Sequence, residues 1–198
     1  MGSRTLLLTM DMAKIADMSC NPAIGGVAKG QIVREIDALG GMTGRIADLT
    51  SVQFRMLNRS KGAAMWSPRA QCDKREFSQQ WRRTLENTVN LYIWQDAATE
   101  ILFDTSDAGR RVRGVKTRMG VEFECRAVIL TAGTFLAGEM YCGGSHAEGG
   151  RAGDAASTGI TESLVAIGFE AGRMKTGTPA RLDARTINFE ILEPQWGD

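Results

Sequence analysis

The sequence predicts an α/β fold in which parallel-type strands and a crossover helix are joined to an antiparallel β-meander. Three observations carry this. Thr5–Thr9 and Ala127–Thr131 are short apolar runs of the kind buried in parallel sheets. Between them, the turn Ser19–Gly30 runs straight into an amphipathic helix. After a long helical stretch, several short strand patterns follow one another around turn signals.

Each element follows from local pattern. Asp11–Met18 reads as an irregular or helical connector. Lys29–Leu39 places Ile32, Val33, Ile36 and Leu39 at helical spacing, and Gly40-Gly41 stops it. Val52, Phe54 and Met56 alternate with polar residues, which predicts a strand. Ser60–Pro68 is a Gly- and Lys-bearing loop. Arg69–Asn87 reads as one long helix with Phe77, Trp81 and Leu85 four apart on one face. Leu91–Gln95 is a strand. Thr99–Asp104 and Val112–Thr117 form a hairpin around Ser106-Asp107-Ala108-Gly109. Val121–Arg126 adds a strand, Thr158–Ile167 a short helix ended by Gly168, and Phe169–Met174 a final strand. This combination fits an α/β architecture of the dinucleotide-binding type.

Composition narrows the class. The 198 residues are 43% hydrophobic, enough for a core, and the net charge of +1 supplies no global field toward nucleic acid or membrane. No run is long enough to span a bilayer, and the first residues lack the pattern of a signal peptide. Cys20, Cys72, Cys125 and Cys142 show no CxxC spacing, and with His146 as the single histidine a zinc site is disfavoured. Reduced thiols of a cytoplasmic protein are expected.

The stretch Ser19-Cys20-Asn21-Pro22-Ala23-Ile24-Gly25-Gly26-Val27-Ala28-Lys29-Gly30 is the most informative. Its glycines let backbone approach a flat, anionic ligand, and the following helix points its positive end there. Cys20 stands where a helix N-terminus and Lys29 would favour its thiolate. The other reading is a tight turn with a buried structural thiol. Cys72, expected in a helix, Cys125, expected in a strand, and Cys142, beside glycines, look structural. From Arg55 to Arg83 there are eight basic residues (Arg55, Arg59, Lys61, Arg69, Lys74, Arg75, Arg82 and Arg83) against Asp73 and Glu76. That strip suits a phosphate backbone, with Trp66 able to stack on a base, or else it is a solvated helix face beside a ligand-facing loop. Gly149-Gly150-Arg151-Ala152-Gly153-Asp154 is a loop able to wrap a phosphate or ribose. Arg173, Lys175, Arg181 and Arg185 around Lys175-Thr176-Gly177-Thr178-Pro179 suit an anion. His146 is assigned no role.

These motifs resemble, in order, those of the glucose-inhibited division protein A (GidA) family. The match runs from Met1–Thr9 through Cys20–Gly30, Arg34–Gly41, Thr131–Leu136 and Gly149–Asp154 to Lys175–Pro179, over essentially the whole chain. The resemblance implies an FAD/NAD(P)-binding, Rossmann-like fold with two dinucleotide-binding domains, of which residues 1–198 would be a partial FAD-binding domain. It would lack the family's first strand and GxGxxG loop, and NADH-binding and C-terminal partner-binding domains would lie outside it. It implies FAD-dependent modification of tRNA wobble uridine, adding a carboxymethylaminomethyl or aminomethyl group at C5. Methylene-tetrahydrofolate would give the one-carbon unit and NADH would reduce the flavin. A homodimer, a GTPase partner, MnmE, and a cytoplasmic location are implied too, with no membrane.

By the same resemblance Cys20 is catalytic, either attacking the uracil ring or shuttling protons. Asn21, Pro22, Gly25, Gly26, Lys29, Gly30, Ala98, Thr131, Gly133, Thr134 and Ser157 would contact the cofactor. Lys61, Arg69, Gln71, Arg82, Arg83, Arg151, Lys175 and Arg181 would face substrate or tRNA. Trp66 and Ala180 depart from the family pattern, as does Ala98, which a backbone contact tolerates. A folate- and FAD-dependent tRNA uracil methyltransferase, a generic flavin oxidoreductase and an inactive fragment stand as alternatives. The chain alone is expected to be inactive.

Overall fold

The computed structural model describes residues 2–106 and 109–198. In chain order these form β1 (Thr5–Thr9), β2 (Ala23–Gly25), α1 (Lys29–Ala38), α2 (Thr43–Thr50), β3 (Ser51–Leu57), β4 (Ser67–Cys72), α3 (Lys74–Glu86), β5 (Leu91–Gln95), β6 (Ala98–Ser106), β7 (Gly109–Thr117), β8 (Glu122–Glu124), β9 (Glu139–Cys142), β10 (Ser145–Glu148) and α4 (Ile160–Ala166). Single 3₁₀ turns lie between them, among them Arg59–Lys61 and Ala63–Met65. The chain makes two compact units. One holds Lys14–Thr88 with Thr176–Asp198; the other holds Val89–Lys175 with the residues up to Ala13.

In the first unit, β4 is the middle strand of an antiparallel sheet ordered β2-β4-β3. Ile24, Ala70 and Phe54 are cross-strand neighbours, as are Gly25, Arg69 and Arg55. Side chains alternate along a strand, so Ala70 and Cys72 turn to one face while Arg69 and Gln71 turn to the other. The first face builds the core. Ala70, Cys72, Ile46, Ala47 and Phe77 are buried together, with Ile24, Met42 and Trp81 packed against them. Phe77 and Trp81 meet edge to face, 6.5 Å between centroids.

The sequence pattern merges β4 with α3, but the structure separates them: Arg69–Cys72 is strand, and the helix starts at Lys74. Asp73 caps it by accepting the backbone N–H groups of Arg75 and Glu76, each at 2.9 Å. Burial of Ala70 and Cys72 two residues apart is strand spacing, whereas the four-residue spacing of Phe77 and Trp81 holds only after the cap. Cys72 is thus a strand residue, not a helical one, and burial pushes its thiol up. The helix α2 lacks a strong periodic signature and was not legible in the sequence; it seats Ile46 and Ala47 in the core.

The second unit pairs β1 with β5 in parallel, Thr5 opposite Leu91 through Thr9 opposite Gln95. Beside it in sequence, β6, β7 and β8 form the antiparallel meander. The predicted hairpin is present; Asp107 and Ala108 of its turn lie outside the described residues. Helix α4 docks on β6, where the Ile101 N–H donates to Ser163 Oγ at 3.1 Å. Strands β9 and β10 make a further hairpin that local pattern does not announce. Two expected strands do not form. Ala127–Thr131 and Phe169–Met174 have no ladder partner among the described residues, and Ile129, Phe169 and Met174 are exposed. An apolar run becomes a strand only where a neighbour supplies hydrogen bonds. Cys125 lies just past β8, its N–H extending the ladder to the Arg113 carbonyl at 2.8 Å. The α/β class with an antiparallel meander holds.

The turn between Cys20 and α1 is fitted against β4 through its glycines. Gly25 has φ +116°, and a Cβ there would collide with the Pro68 carbonyl oxygen. Gly26 has φ +92° but faces open space. Gly25→Ala should therefore cost about 3 kcal/mol or more, combining overpacking with backbone strain. Gly26→Ala should cost about 1–2 kcal/mol, from backbone strain alone. Urea unfolding of the two variants checks the order; equal losses would contradict it.

Candidate functional site

Cys20 is a free, exposed thiol at the head of this turn. The backbone around it is held from three sides. Arg181 donates to the Ser19 carbonyl at 2.9 Å. The Cys72 N–H donates to the Pro22 carbonyl at 2.7 Å. The Lys29 ammonium donates to the Ala23 carbonyl at 3.1 Å. Lys29 and Arg181 thus serve the turn itself. Asn21 is exposed and Pro22 half-buried beside it.

The glycines do less for a ligand than their pattern suggested. The Gly26 N–H is taken by Pro68 O, Lys29 N–H by Val27 O and Gly30 N–H by Gly26 O. Gly30, like Gly25, is required by close approach: its Cβ would lie 2.8 Å from Pro68 O. What the turn presents outward is the Cys20 thiol, the open space over Gly26, and the start of α1. That helix has no side-chain N-cap and no acidic residue in its first turn, so its positive end is not neutralised locally.

The sheet face opposite the core completes this side. Arg69 is paired across strands with Gly25 and Arg55, and Gln71 with Ala23 and Gln53. Two arginines directly opposite one another repel unless an anion or acceptor intervenes. Arg55 reaches the Gln195 side chain at 3.0 Å. Arg69 Nε is buried with no hydrogen-bond partner. A buried guanidinium N–H left unsatisfied is costly, which marks the position as suited to an acceptor from a ligand. Arg55 was not singled out individually for this site by the sequence; the strand register would have flagged it. Lys61 lies in the exposed loop before β4. On α3, Arg82 is half-buried and bonded to Glu86 at 2.8 Å, one turn on, while Arg83 is exposed.

In the other unit, two predicted cofactor positions touch each other. Ser157 Oγ, in a buried residue, donates to the Ala98 carbonyl at 3.4 Å, and the Ser157 N–H donates to Phe135 O at 2.8 Å. Thr131 and Gly133 lie in exposed irregular chain. Thr134 Oγ1 donates to the Gly150 carbonyl at 2.7 Å, joining the two glycine motifs. The Gly149–Asp154 loop closes on itself: Arg151 is ion-paired with Asp154 and lies 5.7 Å from the centre of the Phe135 ring.

The expected basic cluster near Lys175 does not act as one group. Arg173 bonds the Ala137 carbonyl at 2.7 Å and pairs with Glu139 at 3.1 Å. Arg185 folds back on Asp183, and Lys175 is exposed. His146, left without a role by its sequence context, stacks on Tyr141 with 4.6 Å between centroids and lies 3.4 Å from Glu139. The Tyr141 hydroxyl, then the charges of Arg173 and His146, hold the Glu139 carboxyl below the usual carboxylate range. This cluster arises from the cross-strand register of β9 and β10, which brings Tyr141 opposite His146, and no local sequence signal announces it. Among the described residues no cluster of three or more His, Cys, Asp or Glu could hold a metal, and no helix is long and apolar enough to cross a membrane.

The family model for "Glucose inhibited division protein A" matches residues 1–198. The chain is 56% identical over all 198 residues to the tRNA uridine 5-carboxymethylaminomethyl modification enzyme MnmG of Phocaeicola vulgatus, covering 31% of that protein. It is 55% identical to the enzyme of the same name from Bacteroides fragilis, again covering 31%. Aquifex aeolicus GidA, a solved structure, matches with a TM-score of 0.90 and 47% identity, over 100% of this chain and 32% of that one. The GidA-related protein from Thermus thermophilus shares the fold at a TM-score of 0.57 and 22% identity, over 85% of this chain and 60% of that one. The chain spans about a third of the length of the curated relatives it matches, and it belongs to the glucose inhibited division protein A family.

Proposed function

We infer that this chain is part of an FAD-dependent enzyme that modifies the wobble uridine of tRNA, with Cys20 as its reactive thiol. The observation that carries the reading is the exposed Cys20 on a turn clamped by Arg181, Lys29 and the Cys72 N–H. A nucleophile needs that combination of access and fixed position. The names of the relatives from Phocaeicola vulgatus and Bacteroides fragilis support the choice of substrate.

The residues suit a flavin dinucleotide. Arg69 Nε offers a buried donor without a partner, α1 an uncapped positive end, and Gly26 a surface free of side chain. Asn21, Pro22, Gly25, Lys29 and Gly30 would shape that wall. Ala98 and Ser157, with Thr131, Gly133 and Thr134, would supply the contacts from their own unit. When bound, FAD supplies the redox chemistry of the reaction. Cys20 Sγ would either attack the uracil ring or relay a proton. Arg69 and Gln71 would orient the reacting groups, and Lys61, Arg82, Arg83, Arg151, Lys175 and Arg181 would serve substrate or turn. NADH as reductant, methylene-tetrahydrofolate as one-carbon donor, the carboxymethylaminomethyl or aminomethyl product, a homodimer, the GTPase MnmE and a cytoplasmic setting belong to the same reading. The chain would then be a partial FAD-binding domain.

In the full-length protein, Cys20→Ala should abolish uridine modification while flavin absorbance of the purified protein is retained. Modification at the normal rate would remove Cys20 from the chemistry. Replacing Arg82 and Arg83 by Glu should weaken tRNA binding and lower the slope of log K against log salt by about 2. The loss of the surface Arg82–Glu86 pair should itself cost no more than about 0.5 kcal/mol of stability. Unchanged affinity in a salt titration would return α3 to ordinary solvated surface.

A further inference from the structure

The loop between β3 and β4 carries an exposed aromatic residue that the proposed site does not use. Residues 59–66 are all exposed, and they contain Arg59, Lys61, Met65 and Trp66. Trp66 is 45% exposed and Met65 44%. Large apolar side chains displayed on a basic loop are at odds with a purely solvated role.

The loop is nonetheless rigidly held. The Trp66 indole N–H donates to the Arg59 carbonyl at 3.2 Å, so the ring is pinned across the loop. The 3₁₀ turns Arg59–Lys61 and Ala63–Met65 pack on each other. At the far end Ser67 is fully buried. Its hydroxyl donates to Met65 O at 2.9 Å and accepts from Gln31 Nε2 at 3.1 Å. A ring whose only polar group is already satisfied, fixed by its own backbone, presents area at little further cost in ordering.

We propose that Trp66 is a stacking platform for an unpaired base of the RNA substrate, with Lys61 in the same loop contacting the adjoining phosphate. The inference rests on the tRNA reading above and deepens it by naming where a single-stranded nucleotide is held. The surroundings favour RNA over an apolar protein segment: Lys61 is exposed in this loop, and Arg55 and Arg59 lie beside it, held by Gln195 and Asp198. Stacking and phosphate contact also differ in their response to salt. Base stacking is insensitive to counterions, whereas each phosphate contact adds about one to the salt slope.

The test uses the full-length protein, a stem-loop RNA with an unpaired loop, and a blunt RNA duplex of the same length. Trp66→Ala should weaken stem-loop binding roughly five- to hundredfold at unchanged salt slope, and Trp66→Phe should restore most of it. Neither variant should alter duplex binding. Lys61→Ala should instead lower the slope by about 1. Stem-loop affinity unchanged in Trp66→Ala overturns the platform and leaves the tRNA reading standing. A salt slope that falls with Trp66→Ala overturns it too, because the residue would then merely hold the loop. A wild-type protein that binds neither RNA overturns both.

Discussion

The fit of the Cys20 turn against β4 is the constraint on which the candidate site depends. Gly25 and Gly30 both press on the Pro68 carbonyl, and the Gly26 N–H bonds to that same oxygen. One backbone atom of β4 therefore fixes the path of the turn and the start of α1. The core holds β4 in place from the other side through Ala70 and Cys72. A change in the core thus reaches the thiol by a short path: Cys72 is buried by its side chain, and its N–H holds the carbonyl of Pro22, two residues from Cys20.

This arrangement gives the glycine-rich motif a different physical meaning from the one its spacing suggests. Glycines before a helix suggest a cradle of bare N–H groups. Here three of those N–H groups are satisfied within the turn and by β4, and two of the glycines are demanded by crowding. The unpartnered donor is instead the buried Nε of Arg69, on β4 across from Gly25. A ligand would thus meet a thiol on a tightly packed turn and a guanidinium on the strand beside it. Positive charge in the rest of this unit is mostly tied up locally, as in the Arg59–Asp198, Lys74–Asp17 and Arg82–Glu86 pairs.

The sequence made the local elements legible wherever period and partner agreed. The β6–β7 hairpin, β3, α1 and α4 all follow from alternation, helical spacing or glycine stops. Ala127–Thr131 shows why the rest was not: its residues are strand-like, yet ladder formation depends on a neighbour that no local pattern reveals. The Arg69–Asn87 stretch failed for another reason, since helix spacing after Asp73 masked strand spacing before it. For the candidate site, Cys20 is singled out by its glycine-rich turn, and Arg69 and Gln71 by resemblance to the family's patterned segments. The tether from Arg181 to Ser19 and the Tyr141–His146 stack were not legible, because each depends on long-range or cross-strand contact.

The central claim is that Cys20 lies at the mouth of a flavin-binding turn. Its most direct measurement is the alkylation rate of each cysteine, read by peptide mass spectrometry on full-length protein with and without FAD. Cys20 and Cys142 are both exposed, so Cys142 is an internal control. FAD should slow alkylation of Cys20 at least severalfold and leave Cys142 unchanged. Equal alkylation of Cys20 in both states, in a sample whose absorbance shows bound flavin, would contradict the account.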